Sequence, residues 1–469
     1  MVKEIETTRA SKILFFLLCA TIVWTTLAYG TVHQPTVAVF YISAAVIVLL
    51  WAVDAFTSGV LRFNKSLLQI PLLAAFAYAL IQIIPFGSLA ETAGIADIPR
   101  RISLDPFATR VAAFHFLALL ILLAAFLTYL DSAKRIRKLV IVITGFGFVF
   151  AFFAILQAVL SPNKIYGIYE VNYANPFGSF VNRHDFAAYM EMSLSLPLGL
   201  MFVGAVGKDR KLLFITAISL MGIALILSGS RGGLISLLAA IFFLVILTTR
   251  TRNPTQFALK IGASVLLVAT IIVGSILIGG ESSLTRFAET ATSQDFSTSR
   301  TYIWSVTMSV IQANFPLGAG FGAFGIAYTP FDAFSGLQRV EQAHNDYLEV
   351  LAVAGVVGLI IGGYFIFQLF RTGLRNAQTQ NTFRRGVCLG ALAGCFAILV
   401  HSLFDFVLHI TAIAVLFVTC IALVAVSGTE FPDDAPEDEP RRHRDKRSRG
   451  AASVTSIEKG RKRTRSSVE

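Results

Sequence analysis

Charge is scarce in this 469-residue chain: Asp, Glu, Lys and Arg fill only 14% of positions, where a soluble domain carries about 25%. No polar block is long enough to build a soluble domain, so the length does not translate into several of them. Cysteine is also rare. Cys19, Cys388, Cys395 and Cys420 all fall in apolar stretches, with no Cys-x-x-Cys and no histidine at ligand spacing. The pattern offers neither a disulfide framework nor a zinc site. A P-loop is missing too. The run Pro316-Leu317-Gly318-Ala319-Gly320-Phe321-Gly322-Ala323-Phe324-Gly325 is glycine-rich but lacks the Lys-Ser/Thr pair and follows no strand pattern. It reads as a flexible turn packed at the bilayer edge. No external carboxylate cluster suits a divalent metal, and no internal repeat is visible.

What is abundant is hydrophobicity, at 55% of residues. Runs of 18 or more apolar residues recur, each long enough to cross about 30 Å of hydrocarbon. They predict an all-α polytopic membrane protein with about twelve transmembrane helices, near 13–30, 36–53, 67–85, 111–130, 139–160, 186–206, 212–228, 234–249, 257–278, 347–370, 386–404 and 409–427. The span at 186–206 is the weakest because it holds Glu191 and Pro197. The first run lacks a small-x-small cleavage site before Val32 and reads as a retained helix rather than a signal peptide. The expected organisation is a cytoplasmic N-terminus (1–12), nine spans (13–278), one long periplasmic segment with short helices (279–346), three more spans (347–427) and a charged, disordered cytoplasmic tail (428–469).

The net charge of +11 points to membrane orientation rather than nucleic acid. With a cytoplasmic N-terminus, the inside segments before the tail hold 19 Lys and Arg and the longer outside segments hold nine. That bias puts both termini on the cytoplasmic side of the membrane. The 11 basic residues of the tail agree with that orientation; its basic block can lie on anionic headgroups or remain solvated.

Few charges remain on the outer side, and they fall in four places. The loop near 86–110 carries an Arg pair and reads as a re-entrant or interfacial piece. The turn Ser228-Gly229-Ser230-Arg231-Gly232-Gly233 puts an arginine at the membrane edge, where it needs a partner or must snorkel. The helix after it offers N–H groups to an anion, and a guanidinium grips phosphate in a two-pronged fashion. Within the long segment, Ser297-Thr298-Ser299-Arg300-Thr301-Tyr302-Ile303-Trp304 resembles a helix start, with Thr298 or Ser299 as cap. Arg300 in a first turn is unfavourable against the helix dipole unless an anion binds there. Trp304 suits interfacial anchoring or stacking on a sugar. His344-Asn345-Asp346-Tyr347-Leu348-Glu349 opens the next span. Its imidazole can take a proton from a hydroxyl near neutral pH, with Asp346 or Glu349 placed to orient it; helix capping is the competing reading. In the loop before residue 186, Asn182 or Asp185 can cap the next helix, and Arg183 adds positive charge.

Taken together, the Ser-x-Ser-Arg-Gly turn, the Ser-Arg-x-x-x-Trp stretch and the His-Asn-Asp-Tyr-Leu-Glu motif resemble the O-antigen ligase and O-antigen polymerase superfamily. Phe180-Val181-Asn182-Arg183-His184-Asp185-Phe186-Ala187 also looks like that group's Asn-containing loop, although His184 stands where a second Asn is commoner. The resemblance implies a class-C glycosyltransferase-like fold with a periplasmic site. It implies transfer of a glycan from a polyprenyl-diphosphate carrier to a hydroxyl of a glycan or lipid A-core acceptor, inverting and without cofactor or metal. Arg231 and Arg300 would hold the diphosphate and His344 would activate the acceptor, with Arg183, Asn182 and Asn345 as further substrate contacts. The acceptor would decide between a ligase and a polymerase of O-antigen or exopolysaccharide. A transporter or flippase is the competing class, since twelve spans is a common count there. The mid-span ionisable residues that such a role needs are few, being Glu191 with His115 and Asp405 as further candidates.

Overall fold

The computed structural model describes residues 8–88, 97, 99–172, 174–249, 300–334 and 339–431, with scattered positions between 255 and 269. Residues 1–131 and 135–429 form one compact unit; 132–134 and 430–469 form a second, small one. The expected span at 257–278 falls mostly outside the described residues, as do Thr298, Ser299 and nearly all of the tail.

The described chain is almost entirely helical. In order it forms α1 (Arg9–Leu27), α2 (Gln34–Ser58), α3 (Ile70–Gln82), α4 (Pro106–Tyr129), α5 (Ala133–Leu160), α6 (Arg183–Phe202), α7 (Lys211–Leu227), α8 (Arg231–Thr248), α9 (Arg300–Asn314), the short α10 (Phe324–Tyr328), α11 (Asp346–Asn376), α12 (Thr382–His401) and α13 (Thr411–Val426). A two-residue hairpin, Lys164–Ile165 with Tyr169–Glu170, is the exception within the loop before α6. Among the described residues, eight helices are long and apolar enough to cross a membrane, and Leu67–Gln82 and Thr411–Val426 are shorter apolar ones. The protein is a multi-pass, all-α membrane protein.

The weakest expected span turns out to be the centre. Every residue of α6 from Asp185 to Leu200 is buried. It is less apolar than its neighbours because it meets protein on all sides rather than lipid. Its main partner is α12, whose Gly386, Gly390 and Gly394 recur every four residues on one face. A methyl group on Gly390 would come within 2.6 Å of the Ser195 carbonyl oxygen, and one on Gly199 within 2.5 Å of the Gly390 nitrogen. Small residues at that spacing let two backbones touch, which is how helices associate where lipid removes the hydrophobic drive. Glu191 lies in this interface, and the His401 Nδ1–H donates to its Oε1 at 2.8 Å.

The glycine-rich run at 316–325 departs from expectation. It is no flexible turn at the bilayer edge. Ala319, Ala323 and Phe324 are buried, and the run fills a break in α11. At Gly355 (φ 58°, ψ −147°) the α11 backbone leaves helical geometry. The carbonyls freed there are satisfied by the run: Ala319 N–H donates to Ala352 O and Gly320 N–H to Val353 O, both at 2.9 Å, and Val356 N–H donates to Pro316 O at 2.9 Å. Gln82 completes the joint, donating from Nε2 to Val353 O at 2.9 Å and accepting Phe321 N–H at 3.0 Å. In a membrane such polar groups must find protein partners.

Position 355 combines a backbone conformation that only glycine adopts readily with no room, because a methyl group would collide with the Pro316 carbonyl. Gly355→Ala is expected to cost at least about 1–3 kcal/mol from backbone strain alone, seen as a lower melting temperature in detergent. Gly362, in the same helix with open space around it, is the control: Gly362→Ala is expected to change melting little. Equal melting of the two variants would refute the proposed joint.

Candidate active site

Four helix starts and one short loop converge at one end of the unit, and local sequence sets each. Asn182 caps α6, its Oδ1 accepting His184 N–H at 3.1 Å. Ser230 caps α8, its Oγ accepting Gly233 N–H at 3.1 Å. Asn345 caps α11, its Oδ1 accepting the Tyr347 and Leu348 N–H groups at 3.0 Å. Arg300 is the first residue of α9. The loop is Ser402–Phe406, which joins α12 to the turn before α13.

At its centre is Asp405, with a side chain 3% exposed. The His344 Nδ1–H donates to Oδ1 at 2.9 Å, and Arg300 Nη2 donates to Oδ2 at 3.2 Å. His184 Nδ1 lies 4.0 Å from the same Oδ2 and is hydrogen-bonded to the Ser230 hydroxyl at 2.9 Å. Ser230 directly precedes Arg231, which is exposed at the start of α8. Arg183 lies over the same turn, where a methyl group on Gly229 would meet its Nη1 at 3.3 Å. Burial by itself works against charge on Asp405. The hydrogen bond from His344 Nδ1–H and the positive charge of Arg300 outweigh it and hold the carboxyl below the usual range.

His344 itself is pinned. Its φ of 51° is left-handed, a conformation a non-glycine residue holds only when its surroundings impose it. The residue before it is gripped on both sides: Ala343 N–H donates to Glu349 Oε2 at 2.8 Å, and Ala343 O accepts the Trp304 Nε1–H at 3.0 Å. Trp304 is thus a structural anchor for the histidine loop. The Phe406 ring meets the His344 ring edge-on at 4.8 Å between centroids.

Beneath the arginine turn, the buried Glu191–His401 pair explains two glycines. A methyl group on Gly232 would lie 3.1 Å from His401 Nε2, and one on Gly233 would lie 3.2 Å from Glu191 Oε1 and 2.6 Å from the Ala187 Cβ.

Of the residues singled out from the sequence, the structure joins His344 and Arg300 directly through Asp405, and brings Arg231 and Arg183 to the turn beside His184. Asn182 and Asn345 spend their side-chain oxygens on helix caps, and Asn345 Nδ2 donates to Leu403 O at 3.0 Å. Two expectations are corrected. Neither Asp346 nor Glu349 orients His344 by its ring; both face His409 instead, at 3.3 Å and 2.9 Å. Asp405 is not a mid-span charge but the hub of the site. Its signal was its position in the few residues between two apolar runs.

Residues 216–362 match the family model for O-antigen ligase. The match covers less than half of the chain. It agrees with the superfamily resemblance of the motifs. The matched stretch includes Arg231, Arg300 and His344, whereas Asn182, Arg183, His184 and Asp405 lie outside it. A comparison with curated proteins finds no match. The O-antigen ligase family supports glycan transfer as the general activity.

Because the folded pKa of Asp405 is depressed, its contribution to stability is complete above the ordinary carboxylate value of about 3.9. It is lost only as pH falls through the lower folded value. Asp405→Asn is expected to destabilise the protein by about 1–3 kcal/mol. The melting gap to wild type should not shrink between about pH 7 and pH 5. A gap that closes as pH rises over that window would show that the Asp405 carboxyl is held above, not below, the ordinary carboxylate range.

Proposed function

We propose that this protein transfers a glycan from a polyprenyl-diphosphate carrier to an acceptor hydroxyl, with inversion at the anomeric carbon. The observation that carries the reading is the Asp405 hub, which ties an imidazole to one arginine beside a turn that bears Arg231 and lies against Arg183. With Nδ1–H committed to Asp405, the Nε2 lone pair of His344 faces the proton of an incoming hydroxyl. That is the tautomer a general base requires. The acceptor oxygen attacks the anomeric carbon, the bond to the phosphate oxygen breaks, and the hydroxyl proton passes to Nε2. The electron pair leaves on the diphosphate. Arg231 and Arg300 are placed to stabilise that developing charge, with Arg183 adding positive potential. Asn182 and Asn345 act here by holding the helix starts that present Arg183 and His344.

The distribution of Lys and Arg along the loops supports a periplasmic site with both termini in the cytoplasm. The spans then number twelve when 257–278 is counted, in the class-C glycosyltransferase manner. Lipid A-core as acceptor makes the protein a ligase; a second lipid-linked repeat makes it an O-antigen or exopolysaccharide polymerase. One feature speaks for the competing transporter class, since α11 is broken as transporter helices often are. At that break, however, the Ala352 and Val353 carbonyls are taken by Ala319, Gly320 and Gln82. They are not left to coordinate a cargo ion.

The test is reconstitution of the purified chain with a defined polyprenyl-diphosphate oligosaccharide and each candidate acceptor. Product is expected without added metal or ATP. Arg231→Ala and Arg300→Ala are expected to lower kcat about 10²–10³-fold, with Lys restoring only part because it lacks the fork. His344→Ala is expected to lose about 10²–10⁴-fold in kcat; wild-type turnover by that variant removes His344 from the mechanism. Substrate crossing a bilayer with no glycan transferred would favour the transporter. Cysteines introduced at 231, 300 and 344 are expected to label from the periplasmic side, and labelling only from the cytoplasm would overturn the orientation.

A further inference from the structure

The two carboxylates that follow His344 have a partner of their own. His409 Nε2 lies 2.9 Å from Glu349 Oε1, and its Nδ1 lies 3.3 Å from Asp346 Oδ1. Both carboxylates are buried, while the His409 side chain is 44% exposed. Each carboxylate uses its other oxygen on a different loop of the site. Glu349 Oε2 accepts the N–H of Ala343, immediately before His344. Asp346 Oδ2 accepts the Ser402 hydroxyl at 2.6 Å, and Asp346 N–H donates to Ser402 O at 3.0 Å, three residues before Asp405. A single imidazole therefore bridges the anchor of the His344 backbone and the anchor of the Asp405 loop.

We propose that His409 is a positioning residue for His344, acting through Glu349 and Asp346, and that its charge sets the alkaline limit of the reaction. This rests on the reading of His344 as the base. Two buried carboxylates on adjacent turns of one helix repel each other unless a cation lies between them. With His409 charged, its two ring N–H groups face both carboxylates, and both hold their loop contacts. When it loses its proton, one carboxylate must take up a proton or turn away. The grip on Ala343 N–H weakens, and the left-handed backbone of His344 loses the contact that imposes it.

The groups facing His409 are Asp346 and Glu349 from α11 and His115 from α4. Enclosure works against its charge, but Glu349 and Asp346 outweigh that and raise it well above the ordinary histidine value. The sign follows. The clamp is complete below about pH 6.5, the unfolded value, and is lost as pH rises through the higher folded one.

The experiment uses the full chain in nanodiscs, with His409→Gln and His409→Lys. Two readouts are taken: glycan transfer as a function of pH, and amide exchange of residues 343–349 corrected for intrinsic rates. His409→Gln is expected to lower kcat about ten- to hundredfold, the scale of a misplaced catalytic group, with donor KM within about twofold of wild type because Arg231 and Arg300 are untouched. Protection of 343–349 is expected to fall with it. In wild type, rate and protection are expected to decline together at alkaline pH. His409→Lys, charged to about pH 10.4, is expected to recover protection and to move the decline upward. Wild-type protection of 343–349 in His409→Gln, or an alkaline limb unchanged in His409→Lys, would overturn the proposal. Absence of glycan transfer by wild type would sink the functional reading instead, leaving the exchange measurement to decide the clamp on its own.

Discussion

A carboxylate with a side chain 3% exposed, in a protein built to sit in lipid, is tolerable only if its charge is answered at close range. Asp405 imposes that requirement on everything around it. Arg300 answers one oxygen, His344 the other, and His184 stands close behind. These partners come from three separate segments of the sequence, and each sits at or within two residues of a helix start. The site is therefore the set of helix ends that satisfy one buried charge. Its accuracy comes from the helices behind those ends, above all the glycine-lined crossing of α6 and α12, which fixes His184 and Asp405 in one frame.

Hydropathy made the helical architecture legible, because long apolar runs leave little choice of structure in a bilayer. Arg231, Arg300 and His344 were legible for a related reason: polar residues of that kind are conspicuous in an apolar chain. Their partners were not. Glu191 made α6 look like a poor membrane helix, and only the fold supplies His401, 210 positions away, as its hydrogen-bond partner. Asp346 and Glu349 looked like orienting groups because they adjoin His344 in sequence. Neighbours along a chain at a helix start point in different directions, and the ring is held instead by a residue 61 positions away.

The glycine-rich run illustrates the same limit. Read locally, a segment with four glycines in ten residues is loose. In place, its glycines admit the backbone of another helix, and the run is among the better packed parts of the protein. The spacing of Gly386, Gly390 and Gly394 was the one long-range clue present in plain view, since a repeat of four on an apolar helix marks a face meant for another backbone.

The break at Gly355 has a mechanical consequence. An unbroken helix of 31 residues would extend about 46 Å, and its tilt would follow the thickness of the bilayer around it. The interruption divides it into two rods. The rod bearing His344 is tied to the 316–325 run on one side and to the loop of Asp405 on the other. The remaining rod is held at its far end, where Asn376 Nδ2 donates to Val424 O and Ala425 O at 2.9 Å. The end bearing His344 thus takes its reference level from contacts within the protein and not from the surrounding lipid.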